Sequence, residues 1–131
     1  MAKEEIIIKL NMLEQKAEEK RQQILEVDRQ IEDLSGLKHS LEKLGESKEK
    51  EMLSSLGRGV FLKTKIDDSK VFVNVGSRVL VRKTFKEGVE IIDKQLLGLE
   101  EIKSHLMSEI EEINAGLYEL LEEAQKESGT D

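Results

Sequence analysis

The sequence contains no proline, no cysteine and no tryptophan, and only one tyrosine and three phenylalanines among its 131 residues. Without proline, nothing in the chain forces a helix to kink or stop. Without cysteine, a disulfide framework and a thiolate metal site are both excluded, which fits a reducing cytosol. An aromatic content of 3% beside 37% charged residues leaves little material for a thick globular core. Long apolar runs are missing too. The run Ile6-Ile7-Ile8 is too short for a signal-peptide core, and no segment approaches the ~18 apolar residues that spanning a bilayer requires. The expectation is a soluble, cytoplasmic protein with no membrane partner.

What is present is the composition of long helices: Ala, Glu, Lys, Leu and Arg together make up roughly half of the chain. From Ile6, apolar residues recur in alternating steps of four and three at Leu10, Leu13, Ala17, Ile24, Val27, Ile31, Leu34 and Leu41, with Lys20 and Lys38 as the breaks. Near Gly36 the stripe shifts, with Leu37 and Leu44 joining Leu41, which predicts a local disturbance or a wider contact face. A second series runs through Val89, Ile92, Leu96, Leu99, Leu106, Ile110, Ile113, Leu117, Leu120 and Ala124, broken only at Lys103. This is the heptad spacing of a coiled coil, whose ~3.5-residue period keeps one apolar seam facing a partner helix. Helices over about 5–50 and 87–126 would be matched in length, roughly 60 to 68 Å at 1.5 Å per residue. They are most simply paired as an antiparallel hairpin, with 127–131 as a disordered tail.

Between them, residues 51–86 change character. Gly57, Gly59, Gly76 and Gly88 punctuate a β-rich segment with a turn at Asp67-Asp68-Ser69. Strands are expected at Val60 to Ile66, Lys70 to Val75 and Val79 to Phe85, and a fourth is possible at Met52 to Leu56. Alternation puts Val60, Leu62 and Ile66 on one face of the first, Val71, Val73 and Val75 on one face of the second, and Val79 and Val81 on the third. Two small hairpins cannot bury enough surface to stand alone. With the helices expected to lead away from them, the economical cover is the same kind of segment from other chains, closed into a barrel without free edges. The fold class read from the sequence is therefore mainly α with a small β insert, one domain built as a coiled-coil hairpin whose strands assemble between subunits.

Charge and chemistry narrow the function. Net charge is −7, yet Arg58, Lys63, Lys65, Lys70, Arg78, Arg82, Lys83 and Lys86 outweigh Asp67 and Asp68 to give +6 between residues 58 and 86, leaving −13 elsewhere. A nucleic-acid surface could use such a patch, but the segment lacks both a recognition helix and stacked aromatics. Lysine on strands is equally a device against edge aggregation, and no nucleic-acid partner is expected. His39 and His105, the two histidines, fall off the seam, and the aspartates of the turn lack the further oxygen ligands of a calcium loop. With no Gly-rich phosphate loop either, no enzyme activity, cofactor or metal is expected.

The order Leu56-Gly57-Arg58-Gly59-Val60-Phe61-Leu62-Lys63, Ile66-Asp67-Asp68, Val71-Phe72-Val73-Asn74-Val75-Gly76 and Val81-Arg82-Lys83, set between two coiled-coil helices, resembles the α-class subunits of prefoldin over nearly the whole chain. It departs from that pattern at Ser55, where the family often has proline, and at Ser77-Arg78, where it has a Gly-rich stretch. The resemblance implies an ATP-independent holdase chaperone subunit in a hexamer of two α-type and four β-type chains, passing unfolded client proteins to a group II chaperonin. It also implies strand contacts between subunits and client binding at the helix tips. The candidates at the tips are Ile6, Ile7, Ile8, Leu10, Met12, Leu13, Leu117, Tyr118, Leu120 and Leu121. Three consecutive isoleucines, about 100° apart around a helix, cannot all face one partner helix. The alternative is a structural or scaffolding coiled coil whose β segment only sets oligomeric state.

Overall fold

The computed structural model describes residues 2–46 and 51–128. Element order is α1 (Lys3–Glu46), β1 (Glu51–Gly57), β2 (Val60–Lys65), β3 (Lys70–Asn74), β4 (Leu80–Thr84) and α2 (Phe85–Ser128). The expected end of the first helix at 47–50 and the last three residues of the expected tail lie outside the described residues. Glu127 and Ser128, expected in the tail, are the last residues of α2.

The chain divides into two compact units, residues 1–32 with 97–131, and residues 33–96. In the first, α1 and α2 bury Ile6, Ala17, Val27 and Leu106, all on the heptad series. The two polar breaks of the series in this unit are ion-paired across the helices: Lys20 Nζ to Glu109 Oε2 at 2.5 Å, and Lys103 Nζ to Asp28 Oδ1 at 2.8 Å. These contacts hold the Glu109 carboxyl below its usual value and raise Lys103 above its own.

In the second unit the seam continues through Ile92, buried, and the third break, Lys38, pairs with Asp93 at 2.7 Å. Leu44 is half-buried but Leu37 is 49% exposed, so the contact face extends to Leu44 alone and Lys38 keeps the heptad position that Leu37 was expected to share. The strands form two separate antiparallel pairs, β1 with β2 and β3 with β4. The first pairs Ser55 with Phe61 and Gly57 with Val60, leaving Leu56 in an irregularity. The second pairs Phe72 with Arg82, Val73 with Val81 and Asn74 with Leu80.

The start of α2 differs from expectation at Phe85, which was expected to end a strand and is instead the first residue of the helix. Thr84 Oγ1 accepts from the Glu87 N–H at 3.1 Å while Glu87 Oε1 accepts from the Thr84 N–H at 3.0 Å. This reciprocal cap satisfies two otherwise orphaned donors and fixes the helix start. Gly88 is buried, and a Cβ there would lie 3.2 Å from Val71 Cγ2 and 3.5 Å from Leu41 Cδ1. Val71 of β3 thus lies against the bared backbone of α2 at Gly88, whereas the helices were expected to lead away from the strands.

Candidate functional site

The strand segment is built around two tight reversals. Arg58 and Gly59 have φ of 52° and 79°, both positive, as a two-residue hairpin loop of the twist-matching type requires. In the second hairpin Val79 N–H donates to Gly76 O at 2.9 Å across Ser77 and Arg78, whose φ values are 51° and 61°. Two consecutive side-chain-bearing residues in the left-handed region are a strained solution that glycine or asparagine would relieve. The glycine-poor stretch noted in the sequence therefore retains a glycine-type backbone.

On these hairpins the expected face splits. Val71, Val73, Val81 and Ile66 are half-buried, while Val60, Leu62, Val75 and Val79 are all more than half exposed. Reading alternation alone missed the other face, where Leu53, Phe61, Phe72 and Leu80 are 59 to 67% exposed, as is Leu56 in its bulge at 66%. A signal for it was available. Val60-Phe61-Leu62 and Val71-Phe72-Val73 are continuous apolar runs, the pattern of strands covered on both faces. Between the hairpins lies an open groove of about 420 Å³ lined by Met52, Thr64, Ile66, Val71, Leu44 and Phe85 among others. One wall is stiffened by the Ser54–Thr64 hydroxyl contact at 2.7 Å.

Basic groups on the strands are partly matched within the chain. Lys63 lies 3.1 Å from Glu51, Arg82 pairs with Asp68 and Lys83 lies 3.9 Å from Glu87. The +6 segment is thus less bare than its composition indicates. Among the described residues no group of three or more His, Asp and Glu side chains could hold a metal ion. Nor, among them, is any helix long and apolar enough to cross a membrane.

At the helix ends the candidate residues divide by face. Ile6 is 1% exposed and belongs to the seam, which corrects its expected place on the client-binding surface. Leu10, Leu13, Leu117 and Leu120 are half-buried on the same series, and Leu13 packs toward Gly116. Ile7, Ile8, Met12, Tyr118 and Leu121 are exposed, at 49, 58, 54, 71 and 48%.

Comparison with known proteins fits this architecture. A family model described as "Prefoldin subunit" matches residues 13–129. Prefoldin subunit alpha 1 of Methanocaldococcus jannaschii is 35% identical over 79 residues, covering 60% of this chain and 56% of the relative. Prefoldin subunit alpha 2 of Thermococcus kodakarensis is 36% identical over 80 residues, with the same two coverages. The chain thus spans a little over half the length of the curated relatives it matches. A chain of the filamentous PFD from Methanocaldococcus jannaschii, solved by electron cryo-microscopy, superposes with a TM-score of 0.77 at 22% identity, covering 88% of this chain and 97% of that one. With paired heptad helices, two hairpins between them and a family match from residue 13 to 129, the chain belongs to the prefoldin subunit family and stands with its alpha class.

Proposed function

We propose that this protein is an ATP-independent holdase chaperone subunit. The strands Glu51–Gly57, Val60–Lys65, Lys70–Asn74 and Leu80–Thr84 join β-type prefoldin subunits in a barrel, in a complex of two α-type and four β-type chains. Non-native polypeptides are held at the helix ends by Ile7, Ile8, Met12, Tyr118 and Leu121. Delivery to a group II chaperonin in the cytoplasm completes the cycle.

The observation that carries this reading is the exposure of large apolar side chains on the strands and at the helix ends, beside those that the helices expose along their length at Leu25, Leu37, Leu97, Ile102 and Met107. Single exposed apolar residues are ordinary, whereas clusters on otherwise charged surfaces mark binding sites. The strand cluster has unpaired edges on either side, which suits a partner strand. The helix-end cluster is formed by flexible or flat side chains, methionine and tyrosine among them, which suits varied and reversible contacts.

The test is suppression of light scattering when a chemically denatured model protein is diluted without ATP, first with this chain alone and then with a β-type subunit. Suppression by the assembled complex is expected. A verified oligomer that leaves aggregation unchanged would overturn the holdase reading in favour of a scaffold.

A further inference from the structure

The exposed apolar residues of the strands and those at the end of α2 sit in opposite charge environments. The strands are rich in lysine and arginine, whereas the end of α2 is acidic: from residue 112 to 128 it carries Glu112, Glu119, Glu122, Glu123 and Glu127 against Lys126. Tyr118, the sole tyrosine, is the most exposed large apolar residue among those described, at 71%. One helical turn further on, at i+3 and i+4, stand Leu121 and Glu122, so ring, aliphatic chain and carboxylate share one face. Glu119 and Glu122 are both exposed and have no ion pair among the described residues.

This combination discriminates between apolar segments of opposite charge. A chain segment that covers Tyr118 and Leu121 strips water from the neighbouring carboxylates, and a carboxylate that loses water without gaining a cation is penalised. A lysine or arginine beside the apolar stretch restores that loss, and can also lie over the phenol ring, whose face attracts cations. A glutamate or aspartate in the same place adds like-charge repulsion. On the holdase reading above, we propose that the α2 end selects non-native segments in which apolar residues are flanked by lysine or arginine.

The experiment uses the full chain in the assembly it forms with a β-type subunit. Two fluorescent unfolded peptides share length and apolar core but carry either lysines or glutamates on both flanks. Anisotropy titrations at low salt should give roughly tenfold tighter binding of the basic peptide, a preference of the size charge complementarity supplies, and the gap should shrink at high salt as screening shortens its range. The double substitution Glu119→Gln with Glu122→Gln should bring the two affinities together while leaving the helical signal intact. Tyr118→Leu, which keeps the apolar area, should weaken the basic peptide more than the acidic one.

Equal binding of both peptides by an assembly that still suppresses aggregation would overturn the charge selection and leave the holdase reading standing. Binding of neither peptide, with no suppression, would remove both. Salt-sensitive self-association without peptide, lost in the double variant, would assign the acidic end to the basic strands of a second copy and overturn the client assignment.

Discussion

The heptad seam and the strand segment are both apolar by sequence, but only one of them is covered by its own chain. Along the seam Ile6 is 1%, Ile92 5% and Leu106 7% exposed, whereas Leu53 and Phe72 on the strands are each 67% exposed. Period announces that a surface is made to be buried, and it does not say what buries it. For the helices the complement is the antiparallel return of the same polypeptide. For the strands, Leu53, Phe61, Phe72 and Leu80 find no such cover among the described residues.

Substitutions should separate the two cases. The largest expected effect is on assembly: Phe61→Ser with Phe72→Ser removes side chains that the isolated chain leaves exposed. Chain stability should move by no more than about 0.5 kcal/mol per site, while size-exclusion chromatography with a β-type subunit should show the complex lost. If the complex persists, the exposed strand face is not the interface.

On the seam the order reverses. Leu106→Ala should cost about 2–5 kcal/mol in urea unfolding, the range for large-to-small changes at buried sites, without altering strand-mediated assembly.

Smaller effects probe the junction between the regions. Thr84→Ala should destabilise by ~1 kcal/mol, the usual loss of a helix cap. The Glu87 carboxylate in that cap is held below its ordinary value by its bonds to Thr84. Likewise the hydrogen bonds of Arg29 and Gln30 hold Glu26 at about 2 against an ordinary 4.5. The unfolded chain therefore binds more protons in this window, so the melting temperature should fall as pH drops from about 4.5 toward 2. Glu87→Gln should flatten part of that fall.

The glycines give effects of both signs. Gly98 has open space where a Cβ would go, so Gly98→Ala should stabilise by up to ~1 kcal/mol in thermal unfolding. Gly88→Val, crowding Val71 and Leu41, should instead destabilise by about 1–3 kcal/mol.

Legibility in the sequence followed the same division. All apolar positions of both heptad series are buried or half-buried, because one partner and one period decide them. The strand order was also readable from its turn residues. The exposed faces carrying Phe61 and Phe72 were not, since alternation was applied to runs that are apolar at every position. The close approach of β3 to α2 at Gly88 leaves no local trace in the sequence. The Thr84-Phe85-Lys86-Glu87 cap was legible as a capping-box pattern and went unread.

The three seam lysines have one further consequence. Were two copies to zip side by side in parallel, Lys20, Lys38 and Lys103 would each meet its own twin across the seam, with no carboxylate set opposite. Folded back on itself, the chain instead gives each of them an acid: Glu109, Asp93 and Asp28. Three charged residues that look like flaws in the repeat are thus matched in the folded-back pairing and would disfavour the parallel one.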